Sequence, residues 1–409
     1  MSRAVAGRLV GLGLAAALAP ATAHAGGLAR PNIISARGVG MGGAFVPIAD
    51  DPTAMHFNPA GAAFAPDAVH LGAELVIAPR SYTPIDADGV RGEAQQPETP
   101  VVPLPALGVL ARITDRVTFG GGVWNTYGGQ LSYMPTGRPA IDASREAVVE
   151  LAAGLAYRVN DRLSLGATFR VGVGLFEVKA TDRPITSDLS GLGLGVGTTL
   201  GAMWRAHPRL TVAGAWRSGL VVDIAGDGVL ELPGEHKQVA VAHEQAWPQA
   251  ASIGVAVAAT DRVRVATQVD WTQWSRWETL SVVFPGNEAG NQTFPLDWHD
   301  SYAVRAGVDV AVSPTVTLRA GAYVDTSAVP DRTIERQYLD ANKFGGSLGA
   351  GIEIARWRVD AAVDVAGGPA RTVPDNSDEV GAFSGRANLA PGEHEGQVLS
   401  FELALTRRL

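Results

Sequence analysis

The sequence predicts an all-β fold, a fourteen-stranded antiparallel transmembrane β-barrel, on three observations. A short polar turn signal recurs six times at intervals of roughly 40 to 55 residues, room for two strands and one longer connection each time. The segments beside these turns alternate apolar and polar residues with period two. Beyond the N-terminus no apolar run reaches the roughly 18 to 20 residues that a membrane-spanning helix needs. The composition agrees: 46% hydrophobic and 18% charged residues, with 49 Gly and no Cys in 409 residues. A slightly apolar, Gly-rich chain suits a barrel whose apolar residues are spread one in two along strands. A large soluble β-protein would share this composition, so the strand pattern has to decide.

Residues 1–25 read as a secretory signal. Arg3 and Arg8 give the positive start, residues 9–19 are apolar, and Ala23-His24-Ala25 is a cleavage site of A-x-A type. Removing those two Arg leaves 31 basic against 41 acidic residues, a net charge of −10 for residues 26–409. An acidic exported chain is a poor partner for nucleic acid. Without Cys it forms no disulfides, even in an oxidising compartment.

The six turns are Thr114-Asp115-Arg116, Asn160-Asp161-Arg162, His207-Pro208-Arg209, Thr260-Asp261-Arg262, Ser313-Pro314-Thr315 and Ala355-Arg356. Asp, Asn, Ser and Pro suit tight turns because they fix φ or bond their own backbone. After the second turn, Leu163, Leu165, Ala167, Phe169, Val171 and Val173 share one face, and Ser164, Gly166, Thr168, Arg170 and Gly172 share the other. The strands beside the fourth, fifth and sixth turns repeat this, setting Val, Leu and Trp against Arg264, Gln268, Asp270, Arg305, Asp309, Arg319, Asp360 and Asp364. Strands of about ten to fifteen residues exceed the globular norm and suit tilted membrane strands. Long polar loops are expected at 80–104, 128–145, 179–190, 224–246, 278–298, 327–342 and 367–393. Short turns on one side and long loops on the other match the periplasmic and external ends of a membrane barrel. Six turns imply seven hairpins, hence fourteen strands, and the seven loops give the same count. Eight of the nine Trp (Trp204, Trp216, Trp247, Trp271, Trp274, Trp277, Trp298 and Trp357) fall near expected strand ends, where interfacial girdles form.

The segment before the first strand carries Ala36-Arg37-Gly38-Val39-Gly40-Met41-Gly42-Gly43-Ala44-Phe45, then Ile48-Ala49-Asp50-Asp51-Pro52-Thr53-Ala54 and Asn58-Pro59-Ala60-Gly61. This resembles the N-terminal hatch of the FadL/TodX family. The block Trp271-Thr272-Gln273-Trp274-Ser275 and the stretch from Arg319 to Asp331, with its Asp325-Thr326-Ser327-Ala328-Val329-Pro330-Asp331, are similar to the same family. The resemblance implies a fourteen-stranded barrel (67–409) with a plug or hatch inside it (26–66), set in the bacterial outer membrane. It implies passive uptake of hydrophobic compounds, from long-chain fatty acids to aromatic hydrocarbons, with release sideways through a gap at the third strand. Gly120, Gly121 and Gly122 fall in that strand and are the expected lateral opening, since mid-strand Gly permits a bulge or a close approach; relief of barrel curvature is the other reading.

Asn58, Pro59 and Ala60 are gating candidates, as a turn that shapes the plug or as an amide that anchors it to the wall. Met41, Phe45, Met55 and Phe57 are candidates for ligand-binding pocket lining or for plug packing. The inward Arg residues have two readings, pairing with neighbouring carboxylates or holding a carboxylate head. Gly38-x-Gly40-x-x-Gly43 fits a dinucleotide fingerprint only formally, because no βαβ unit surrounds it. His236 and His243 with Glu235 and Glu244 read as a solvated loop before a cation site. No spacing marks a catalytic set, so the chain is not expected to be an enzyme, and no metal or cofactor is expected. Expected partners are hydrophobic small molecules, outer-membrane lipid and lipopolysaccharide, and the barrel-assembly machinery. That machinery commonly reads an aromatic last residue, where this chain has Leu409. A general porin for small polar solutes is the alternative function.

Overall fold

The computed structural model describes residues 34–98, 101–133, 140–182, 185–336, 338–377, 388 and 390–409. The expected signal segment, the first residues of the expected plug, and parts of five external connections lie outside these.

The strands form one closed antiparallel barrel of fourteen. In chain order they are β1 (Ala68–Ile77, continued by Arg80–Pro84), β2 (Val102–Arg112), β3 (Val117–Ser132), β4 (Ala140–Arg158), β5 (Leu163–Asp182) and β6 (Ile185–His207). There follow β7 (Leu210–Arg217 and Leu220–Leu232), β8 (Glu235–Trp247 and Ala250–Ala258), β9 (Val263–Thr272 and Thr279–Val283) and β10 (Gln292–Pro295 and Ser301–Ala311). The last are β11 (Val316–Asp325), β12 (Lys343–Ile354), β13 (Trp357–Gly367 and Arg371–Val373) and β14 (Gly392–Arg408). Each strand pairs with the next, and β14 returns to β1 from Ala68↔Arg408 to Ile77↔Leu399. Closure gives every strand two neighbours, so no strand is left as an open sheet edge in lipid.

All six short turns fall where the turn residues put them. Their side chains satisfy the turn backbone: Thr114 Oγ1, Asn160 Oδ1, Thr260 Oγ1 and Ser313 Oγ each accept from the N–H two and three residues on. The opposite ends depart from expectation. β5 has 20 residues and β6 has 23, so much of the expected loop 179–190 is paired strand. The expected loop 224–246 is likewise a hairpin, with Leu232 opposite Glu235. At roughly 3.3 Å per residue these strands run far beyond a hydrocarbon layer of about 30 Å. Polar residues there mark strands standing in water.

The alternation has the sense the sequence predicts. Leu71, Leu151, Phe169, Val196 and Leu403 point outward, each more than half exposed, as a lipid-facing surface requires. Ser164, Thr168, Arg170, Gln268 and Asp360 point inward and are buried. The Trp reading divides. Trp204, Trp216 and Trp357 are exposed on the outer face, whereas Trp247, Trp274, Trp277 and Trp298 are buried in an internal aromatic cluster. The period-two count loses parity where β8 to β10 are interrupted, so the sequence does not show which side those rings take.

Candidate functional site

The N-terminal segment has little regular structure: α1 (Ala36–Gly40), α2 (Ala54–Phe57) and a 3-10 turn (Pro59–Phe64). Ser35 caps α1 by accepting from the Gly38 N–H at 3.3 Å. Nearly every residue from Ile34 to Ala65 is buried, and the segment packs on inward faces all round the barrel. α1 lies against β11 to β14, and the 3-10 turn against β3 to β6.

Arg37 reaches Asp50 at 2.6 Å and Asp51 at 2.8 Å, tying the start of the segment to its middle. Burial pulls the Arg37 pKa down, but the two carboxylates outweigh it and raise it. Burial likewise pushes Asp50 up, and Arg37 with Arg264 of β9 holds it below the usual carboxylate range. Asn58 joins three parts. Its Oδ1 accepts from the Ala60 N–H at 3.1 Å, while its Nδ2 donates to the Val46 carbonyl at 3.1 Å and to the Ala202 carbonyl of β6 at 3.3 Å. The two readings of this residue therefore coexist, a turn former and a tie to the wall. Glycine in the wall makes the tie possible: a Cβ on Gly201 would stand 2.1 Å from Asn58 Oδ1, and one on Gly321 would stand 2.1 Å from the Gly42 nitrogen.

Met41, Phe45 and Met55 lie in the apolar cluster between this segment and the wall, with Phe45 edge-on to Phe57 at 5.2 Å. Phe57 has a further exposure. With His56 and Val46 it borders an internal cavity walled by Tyr127, Trp274, Trp298, Val329, Tyr338 and Leu339. The cavity is partly open to solvent and, with that open part counted, spans about 1110 Å³ of atom-free space. Its aromatic wall is continuous: Trp277 packs on Trp298 at 4.6 Å and on Trp274 at 5.3 Å, and Tyr127 stacks on Trp247 at 4.5 Å. The period-two pattern missed this cluster, because the Trp271–Trp277 block lies where β9 gives way to a 3-10 turn.

The inward charges form pairs. Arg170 and Arg217 share Glu150, Arg305 meets Asp270 at 2.6 Å, Arg264 meets Asp309 at 2.9 Å, and Arg319 meets Asp360 at 2.9 Å. His243 donates from Nδ1–H to the Ser281 carbonyl at 2.9 Å and packs on Phe176, while Glu244 is exposed on the opposite face of β8. The considered His/Glu cation site is thus not assembled among the described residues.

Gly120, Gly121 and Gly122 are laddered on both sides, to Leu110, Val109 and Gly108 of β2 and to Gly154, Ala153 and Ala152 of β4. Gly120 instead admits Met55, whose Sδ would lie 2.5 Å from a Cβ there. The irregularity of β3 sits higher, a bulge between Asn125 and Tyr127. Among the described residues the β2–β3 ladder ends at Ala106↔Trp124, although β2 stays paired to β1 as far as Val102 and β3 to β4 as far as Ser132. A single bridge, Glu98↔Ser132, rejoins the chain above. Pro103 and Pro105 supply no N–H in this stretch. Among the described residues the wall thus lacks β2–β3 pairing between residues 103–105 and 125–131, and Tyr127 belongs to both this unpaired stretch and the cavity lining.

A closed fourteen-stranded barrel with an apolar outer face and a polar, packed interior defines an integral outer-membrane protein. Residues 16–390 match the family of outer membrane protein transport proteins (OMPP1/FadL/TodX), and the chain belongs to that family. A FadL homologue from Pseudomonas aeruginosa superposes with a TM-score of 0.81 at 18% identity, over 94% of this chain and 99% of that one. The toluene transporter TbuX of Ralstonia pickettii gives 0.70 at 17%, over 93% and 99%. The toluene transporter TodX of P. putida gives 0.68 at 14%, over 88% and 94%. At these identities the likeness is one of fold. A putative outer membrane protein of Neisseria meningitidis serogroup B is 25% identical over 199 residues, 43% of each chain, so the match spans less than half of that relative.

Proposed function

We propose that the protein is a passive channel for hydrophobic compounds, of the fatty-acid or aromatic-hydrocarbon kind, that releases them sideways into the outer membrane. The observation that carries this is Tyr127, which lines the aromatic cavity and stands in the strand whose ladder to β2 is broken. An apolar ligand enters from the external end and gains about 25 cal/mol per Å² of apolar surface buried in the cavity. Residues 34–66 close the path below as a plug, with Asn58, Pro59 and Ala60 as its gating turn and Met41, Phe45, Met55 and Phe57 as its apolar body. The window between β2 and β3, rather than the fully laddered Gly120 to Gly122, is the exit. The partners are the hydrophobic ligand, the surrounding lipid with its lipopolysaccharide leaflet, and the machinery that assembles the barrel. The chemistry is transport without catalysis.

The test is uptake of labelled oleate and labelled toluene by cells lacking their own hydrophobic channel. Expression of the wild type speeds entry of at least one of them. Entry of small polar sugars instead, with neither apolar ligand accelerated, would replace this reading with a general porin.

A further inference from the structure

The cavity carries more polar chemistry than a hydrocarbon needs, and its charged part is already used. Arg217 is paired with Glu150, Arg305 with Asp270 at 2.6 Å, and Lys343 with Asp340 at 2.7 Å. A carboxylate entering here would have to displace one of these buried carboxylates and leave it uncompensated. Two uncharged polar groups on residues that line the cavity, Thr199 Oγ1 and Trp298 Nε1, are buried and have no hydrogen-bond partner among the described residues. Thr199 is 1% exposed and Trp298 is 5% exposed.

Both groups are held in place. Thr199 of β6 is laddered directly opposite Arg217 of β7, whose Nε is a further buried donor without a partner among the described residues. Trp298 is packed between Trp274 at 5.2 Å and Trp277 at 4.6 Å, with Tyr338 edge-on at 5.8 Å. Indole and guanidinium nitrogens only donate, and a Thr hydroxyl can donate. The complement of such a set is an acceptor oxygen without charge. A pure alkane or arene would leave these groups buried and unpaired, a recurring cost that a matching oxygen removes.

Resting on the channel reading above, we propose that Thr199 and Trp298 are hydrogen-bonding positions for the oxygen of carbonyl-bearing hydrophobic compounds, ketones or esters with an otherwise apolar body. The channel then prefers a neutral ketone to the alkane or the carboxylate of the same chain length.

The test is equilibrium binding of nonane, 2-nonanone and nonanoate at neutral pH to the full chain in lipid nanodiscs, with empty nanodiscs subtracted. The variants are Thr199→Val, which removes one hydroxyl at constant shape, and Trp298→Phe, which removes the indole N–H together with one ring, so that both are read as the ketone-to-alkane ratio rather than as absolute affinity. In the wild type the ketone binds most tightly. At least one variant lowers the ketone-to-alkane affinity ratio by about three- to tenfold, the span of one buried neutral hydrogen bond. Unfolding on denaturing gels after graded heating verifies that both variants keep the barrel. Equal binding of nonane and 2-nonanone, a ratio unmoved in both variants, or nonanoate as the tightest ligand overturns the proposal and leaves the hydrophobic channel standing. Binding of none of the three overturns both.

Discussion

Replacing Asn58 by Ala removes a side chain that ties the 3-10 turn, the turn at Val46 and the barrel wall together. Three hydrogen bonds go: the cap on the Ala60 N–H and the donations to the Val46 and Ala202 carbonyls. The cap contributes about 1 kcal/mol, and each buried neutral bond about another 0.5 to 1.5 kcal/mol. The Ala202 carbonyl lies in a paired strand and keeps part of its satisfaction, which places the sum at about 2 to 3 kcal/mol. At 1.4 kcal/mol per tenfold, local opening of residues 34–66 becomes roughly 30- to 150-fold more frequent. Amide hydrogen exchange of the purified protein reads this directly: exchange of residues 54–64 speeds by that factor, while β5 and β6 amides keep their protection. Uptake changes in parallel if this segment gates the channel. Unchanged exchange at 54–64 would show that Asn58 does not hold the plug, and faster exchange with unchanged uptake would show that plug opening does not limit transport.

Three further outcomes are expected. Glu150→Gln leaves Arg170 and Arg217 without their shared carboxylate in the barrel interior and destabilises by about 3 to 5 kcal/mol, seen as barrel unfolding at lower temperature on denaturing gels. Replacing Pro103 and Pro105 together by Val returns two N–H donors to β2; closure of the window slows uptake several-fold with cavity binding retained, and unchanged uptake would place the exit elsewhere. In the connection after β11, burial pushes the Glu335 carboxyl up to about 7 against the opposing effect of Arg336. A raised carboxyl pKa means that the folded connection binds the proton more tightly than the unfolded one. Its contribution is present below about pH 4 and is lost as pH rises toward 7, so protease cleavage within 327–342 becomes faster over that range and Glu335→Gln flattens the dependence.

The barrel was legible because its physics is local. Thr114, Asn160, Thr260 and Ser313 bond their own turn backbone, and period-two alternation decides which side chain meets lipid. Six such turns fix the strand number without knowledge of any long-range contact. The motif around Asn58 marked the N-terminal segment for the same reason, since a capped 3-10 turn is written in consecutive residues. The length of the external hairpins was not legible, because polar residues look alike in a loop and in a strand standing in water.

The sequence by itself thus determined the fold class and the strand count, and marked the segment before the first strand as one that does not read as strand. Only the tertiary structure decided where the β2–β3 ladder ends and what the cavity offers. The ladder missing among the described residues between Ala106–Trp124 and Glu98–Ser132 is a relation between two strands, whereas Gly120 to Gly122 merely look weak in one. The aromatic wall gathers Tyr127, Trp274, Trp298 and Tyr338 from across some two hundred residues, and whether a Trp faces lipid or lumen turns on interruptions of β8 to β10 that shift its parity. Pairing of Arg217 and Arg305 with distant carboxylates, and the lack of a partner among the described residues for the uncharged polar groups of Thr199 and Trp298, are likewise properties of the closed barrel.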